Sequence, residues 1–373
     1  MIKVAQLNKE EQRQIAKMLE EEMKWNITLK NSKELLIKLV EEAIKEHKKW
    51  ESSKIIGNDR YYTCFKKNKI NIMQQQWPVL SYEKGKATYD TLHMWTQIVG
   101  KIKLAAMPWI NHSWHITLHI TPRGLTTQTI PYKDQNFQID FDFIEHQLKI
   151  ITSKGALRKF DLHGISVADF YKKIFDVLDD LKIDLQIKPV PVELANPIPF
   201  KEDTIHATYD DEQVKAFHHA LLFIQDVFMK FRGEFKGKCS PIHFFWGSFD
   251  LALSFFSGRR APKHPGGIPG MPDWVAEEAY CREVSNCGFW PGNEALPEPS
   301  FYCYLYPEPE GYKTAELQPR DAYYNTTLGE YILSYSSVQQ SEDPEKKLLG
   351  FLNSTYHAGA NLAKWDREIL ESL

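Results

Sequence analysis

Apolar positions change their spacing several times along this 373-residue chain, and each change marks a different element. Ile15, Met18, Leu19 and Met23 recur at helical spacing. Leu35, Leu36, Leu39, Val40, Ala43 and Ile44 form a second stripe behind Asn31 and Ser32, both good N-caps. The lysines and glutamates around these stripes read as a solvated face. Residues 1–76 are therefore expected to be a helical N-terminal extension, polar and hard to place beyond residue 55.

The texture changes at Trp77. The spacing predicts a helix over 87–106, with Leu92, Trp95, Val99 and Ile102 on one side and a narrow polar stripe of His93, Thr96, Gln97 and Gly100 beside them. From Trp114 to Thr121 the pattern alternates strictly, which predicts a half-buried strand with His115, Thr117 and His119 on one face. LTTQTIPY continues as a hairpin partner, and FQIDFDFIEHQLKIIT reads as two strands around a turn near Glu145 and His146. Ser166 is placed to cap an amphipathic helix, VADFYKKIFDVLDDL, and LQIKPVPVEL reads as a Pro-limited edge strand or linker. The order then recurs: a helix over 210–232, strands at 244–253, 301–306 and 331–335, and a closing helix over 344–371. The strands follow one another too closely for βαβ crossovers, so the expected fold is α+β, an antiparallel sheet with packed helices in two loosely similar halves, 77–200 and 201–372. A long insert at 258–300 distinguishes the second half from the first.

Composition narrows the function classes more than it names one. The 10 Trp, 17 Tyr and 21 Phe supply enough ring area for a sizeable core. Net charge is −3, although residues 1–76 hold 16 Lys/Arg against 11 Asp/Glu, so the body of the chain is the acidic part. With no arginine-rich patch, nucleic acid is not an expected partner. The N-terminal MIKVAQLNKEEQRQ lacks an apolar signal-peptide core, and no apolar run approaches the length of a membrane span. The five cysteines are irregularly spaced and form no C-x-x-C pair, which argues against a zinc ribbon and for free thiols in a reducing, cytoplasmic setting. P-loop, dinucleotide-binding and nucleophile-elbow signatures are all missing.

Several long motifs resemble one family. They are WPVLSYEKGKATYDTLHMWTQIVGK (77–101), NHSWHITLHITPRGLTT (111–127), SPIHFFWGSFDLALSFFSGRRAPKHPGG (240–267), EAYCREVSNCGFWPG (278–292), FYCYLYPEPEGY (301–312) and FLNSTYHAGANLAKWDR (351–367). From Trp77 onward the chain is similar to the domain of unknown function 5996 family of bacterial proteins. That resemblance implies no substrate, cofactor or catalytic residue.

Candidate chemistry is densest between Ser240 and Gly292. Trp246, Ser248 and Asp250 share one face of an expected strand, and an aspartate in so apolar a setting needs a partner. Arg259 or Arg260 at the strand end is the obvious candidate, either to fix the loop or to leave Asp250 orienting a catalytic group. On the loop, His264 with Glu277 or Glu283 could form a general acid–base pair. Cys287 could serve as a nucleophile if a histidine lies near it, although lone cysteines are more often inert. The candidate catalytic set is His264, Glu283, Asp250 and Arg259; the candidate ligand-binding set is His93, Gln97, His115, His119, Trp246 and Trp290. His112, His115 and His119 suggest a metal, but on a strand the last two lie about 13 Å apart, at roughly 3.3 Å per residue, too far for one ion. No metal set is assigned and no cofactor is implied.

The expected function is a small-molecule pocket roofed by the 258–292 loop, worked by acid–base chemistry. The alternatives are a non-catalytic binding module for a small ligand and an interaction protein acting through residues 1–55. Oligomeric state is not legible.

Overall fold

The computed structural model describes residues 77–372, so the two N-terminal helices expected before Trp77, and any role for them, lie outside the described residues. Seven helices and two antiparallel sheets make up the described residues. The α+β expectation holds.

Helix α1, Tyr82–Ala106, starts five residues earlier than its apolar spacing suggests, because Ser81 caps it by accepting from the Lys84 N–H at 3.4 Å. It is buried on nearly every side, Lys101 and Lys103 included. A helix so covered belongs to the interior, and its polar stripe lies inside the fold with it. Strands β1 (His119–Thr121), β2 (Gly124–Thr126), β3 (Ile130–Tyr132), β4 (Gln135–Asp142), β5 (Gln147–Thr152) and β6 (Leu157–Asp161) form the first sheet. β2 and β3 both pair with β4, against its two ends. Thr127 bridges the gap, its N–H donating to the Ile139 carbonyl and its hydroxyl accepting from the Ile139 N–H, both at 3.0 Å. Helix α2, Val167–Asp180, follows with the expected cap at Ser166, completed by Asp169 as a capping box. Trp95 of α1 stacks on Phe170 of α2, which stacks on Phe141 of β4, so the core lies between helices and sheet.

The second half repeats the order of helix, six strands, helix. Helix α3, Asp211–Gly233, precedes β7 (His243–Phe245), β8 (Asp250–Arg260), β9 (Arg282–Trp290), β10 (Ser300–Tyr306), β11 (Tyr323–Asn325) and β12 (Glu330–Ser334). Their order across the sheet is β11-β12-β10-β9-β8-β7. Short helix α4, Asp273–Ala279, lies between β8 and β9; α5 (Tyr335–Gln339), α6 (Pro344–Leu362) and α7 (Arg367–Leu370) close the chain. A paired bridge between Leu118 and Phe244 links the approach to β1 with β7.

Four expectations are corrected. The strand expected over 114–121 is real only from His119; before it, Asn111–Ser113 forms a 3₁₀ turn, and Ile116 and Thr117 bond back to Ser113 and Trp114 instead of to a neighbouring strand. The strand expected over 244–253 breaks into β7 and β8 at a turn where Phe249 takes φ 57°. The insert is strand at both sides of its connection: β8 runs out to Arg260 and β9 starts at Arg282, so Glu283 and Cys287 are strand residues. The closing helix also breaks, between Leu362 and Arg367.

Candidate functional site

A cavity of about 360 Å³ opens on one face of the second sheet. Period-two alternation builds its floor. Asp250, Ala252, Ser254 and Phe256 of β8, Val284, Asn286 and Trp290 of β9, Tyr302 and Tyr304 of β10, and Glu330 of β12 all line it. The register sets Ala252, Gly288, Tyr302 and Ile332 in one row across four strands. Gly288 matters in that row: a Cβ there would lie 2.3 Å from the Tyr302 ring. Its absence lets the phenol lie across β9 and donate its hydroxyl hydrogen to the Asp250 carboxyl on β8.

The polar stripe of α1 holds the cavity's side wall. Gln97 bonds Val192 twice, donating to its carbonyl at 2.9 Å and accepting from its N–H at 2.8 Å. His93 donates from Nε2 to the Gly247 carbonyl at 2.7 Å, and burial pushes its imidazole down to about 4, which keeps it neutral. Gly100 leaves space for the Trp246 indole, whose N–H reaches the Ile116 carbonyl at 2.8 Å. These anchors present Glu193 beside Val192, and Ser248 beside Gly247, to the cavity. The Ser248 hydroxyl donates to Glu193. The roof comes from the β8–β9 connection: Ile268, Met271, Val275, Ala276, Ala279 and Tyr280. His112 ties that roof down, its Nδ1–H donating to the Ala279 carbonyl at 2.7 Å and its backbone N–H to Glu278 at 2.8 Å.

Three carboxyl groups therefore face one small space, and among the described residues no Lys or Arg lines it. Burial raises Asp250 to about 7, with the charge of Glu193 adding to the effect and the Tyr302 hydrogen bond opposing it. Burial and then Asp250 raise Glu330 to about 8. Glu193 is raised too, by burial, against the Ser248 bond. Tyr280, Tyr302 and Tyr304 are pushed up by burial and stay protonated; the Tyr280 and Tyr304 hydroxyls are 2.7 Å apart. Trp290 stacks on Tyr302 at 4.7 Å, and its buried indole N–H has no partner among the described residues.

Of the residues singled out from sequence, Asp250, Trp246, Ser248, Trp290 and His112 line this cavity. His93 and Gln97 stand behind it as supports. The remainder lie elsewhere. Asp250 pairs with Tyr302 and not with an arginine. Arg259 instead meets Glu283 at 2.7 Å and donates to the carbonyls of Ala363 and Lys364, closing the end of α6. His264 does not meet Glu277 or Glu283. Its ring stacks on Tyr280 at 4.6 Å and packs near Tyr306, buttressing the roof, while Glu277 pairs with Lys263 at 2.9 Å. His115 accepts from the Ile110 N–H and packs at a tilt against Trp109, away from the lining. His119 is also outside the lining; from that segment it is Trp114 and Ile116 that face in. Cys287 is buried beside Cys303, its thiol raised by burial, which removes it as a nucleophile.

Sequence reasoning missed Glu193, Tyr302, Tyr304 and Glu330. The alternation of Phe301–Tyr306 could have shown two tyrosines sharing a face, but nothing local sets that face against Asp250.

Fold and cavity together define an α+β protein with an acidic, aromatic-lined site on one face of an antiparallel sheet. A family of unknown function, DUF5996, matches residues 77–372, and the chain belongs to that family. No curated protein and no solved structure matches it. Among the described residues, no helix is long and apolar enough to cross a membrane.

Proposed function

We propose that the protein takes a small organic cation, a protonated or quaternary amine, into this cavity, with Asp250 as the group that exchanges protons there. The observation carrying the reading is the set of Asp250, Glu193 and Glu330 in one space that, among the described residues, no Lys or Arg lines. Buried carboxylates without a cation are costly, and an incoming ammonium would supply the missing charge. Trp246, Trp290, Tyr280 and Tyr304 offer ring faces of the kind that attract such cations. Asp250, raised to about 7, is half-ionised near neutrality and so suited to accept and return a proton. Tyr302 holds one of its oxygens, leaving the other for a ligand.

A second reading, binding without turnover, is favoured by the aromatic lining, because stacking faces select a ligand without transforming it. Thermal-shift and calorimetric screening of small amines against neutral isosteres of equal size tests the shared part. Amines should stabilise the protein, and Asp250→Asn with Glu330→Gln should abolish the effect. Equal stabilisation by neutral isosteres, or by amines in the double variant, refutes the cation reading. Mass spectrometry after incubation then separates the two: an amine that binds tightly and is recovered unchanged favours the binding module.

A further inference from the structure

Away from the cavity, two histidines and an aspartate from three separate elements meet. His146 sits in the β4–β5 turn with φ 54°, His163 follows β6, and Asp211 is the first residue of α3. One ligand atom from each lies within 4.8 Å of the others. His163 Nε2 is 2.7 Å from one Asp211 oxygen, and His146 Nε2 is 3.4 Å from the other. Both Nδ1 atoms are already engaged: His146 with the Tyr209 hydroxyl at 3.0 Å, His163 with Asp161 at 2.7 Å. Asp161 accepts from the His163 Nδ1–H, and Nε2, 2.7 Å from an Asp211 oxygen, donates to that carboxylate in turn, a proton that a metal ion would displace. His146 is only 7% exposed, and its buried Nε2 has no hydrogen-bond partner.

We propose that His146, His163 and Asp211 bind a divalent transition-metal ion of the zinc type. Imidazole and carboxylate together suit that class of ion. Bonds of about 2.0–2.1 Å in a tetrahedron put neighbouring ligand atoms roughly 3.4 Å apart; His146 and Asp211 stand at that spacing, and the 2.7 Å contact between His163 and Asp211 would open on binding. Asp161 on His163 is the carboxylate that metal-bound histidines ordinarily carry on their second nitrogen, and the Tyr209 hydroxyl holds the second nitrogen of His146. His163 and Asp211 are part-exposed, with side chains 46% and 39% accessible, so a fourth position faces water. The ion would join the β4–β5 turn and the end of β6, in the first half, to the start of α3 in the second. Without an ion, the same atoms could instead form a protonated His163–Asp211 pair, and the test separates the two.

Full-length protein, stripped with chelator, is titrated with Co²⁺ and then Zn²⁺. One equivalent of Co²⁺ should give the strong visible absorption of a tetrahedral site, and Zn²⁺ should displace it. His163→Gln and Asp211→Asn, both at part-exposed side chains, should lose that absorption and weaken Zn²⁺ binding at least about 100-fold with circular dichroism unchanged. Tyr209→Phe should weaken it by about 10–100-fold, the range for losing an outer partner. If His146→Ala fails to fold, the two exposed-side variants carry the test alone. Absence of the Co²⁺ band, or a band that persists in His163→Gln and Asp211→Asn, overturns the proposal.

Discussion

Replacing Asp250 by Asn removes one ionisation from the cavity while keeping the side chain's size and an oxygen to accept from Tyr302. Its carboxyl rises from 3.8 to about 7 on folding, and the side chain is 6% exposed, so little solvent screening softens the effect. Between those two values the folded protein holds a proton that the unfolded chain has released. Stability contributed by this proton is complete below 3.8 and is lost as pH rises through about 7. Each pH unit is worth about 1.4 kcal/mol, so the wild type should lose about 3 kcal/mol relative to Asp250→Asn between pH 5 and 7, then run parallel to it above. Glu330 and Glu193 share the space and add their own dependence, but both remain in the variant, and subtraction removes most of it. Relief of Glu330 from the Asp250 charge leaves a smaller difference of the same sign. The assay is urea unfolding at fixed steps from pH 5 to 9, with free energies from linear extrapolation. A difference that stays flat over that range would refute the account of Asp250 as a buried acid near neutrality, and with it the proton-exchange role.

Tyr302→Phe should move the same transition upward in pH, because the hydroxyl bond is what opposes the rise of Asp250, and should cost about 1–3 kcal/mol from the unsatisfied buried carboxyl; an unmoved midpoint would refute the contact. Gly100→Ala places a Cβ 2.1 Å from the Trp246 indole nitrogen, so the ring must leave the Ile116 carbonyl, and a loss of about 1–3 kcal/mol with weakened ligand binding is expected in thermal and calorimetric measurements. Arg259→Ala breaks a half-exposed ion pair and should cost about 1 kcal/mol or less, leaving amine affinity unchanged; a large affinity loss would return Arg259 to the site.

The fold was legible where one periodicity ran uninterrupted. α2 and its Ser166 cap, the β4–β5 hairpin and the α3 span all match their sequence patterns closely. The misreadings share a cause. Alternation at 114–118 and across 246–249 continues through turns, because a residue in a turn can face the same cavity as one in a strand. Trp114 and Ile116 line the site from such a turn, and Trp246 and Ser248 from another. Periodicity reports which side chains share a direction, and the backbone conformation that delivers them is decided by tertiary bonds such as Leu118 to Phe244.

The chemistry was less legible, for an electrostatic reason. His264, Arg259 and Glu283 were singled out as charged residues on an apparent loop, yet charged groups near a strand end readily satisfy one another at the surface, as Arg259 and Glu283 do. The groups whose protonation is most perturbed are those with no opposite charge nearby. Asp250 was visible because it interrupts an apolar run. Glu193 lies in a Pro-Val-rich linker and Glu330 at the start of a strand, 57 and 80 residues from it in sequence. What converts them into a site is the cross-strand row through Gly288 and the grip of Gln97 on Val192, both long-range. A single sequence can therefore nominate one member of such a cluster. The others follow only when the sheet register is known, since it sets which carboxyls must share one low-dielectric space.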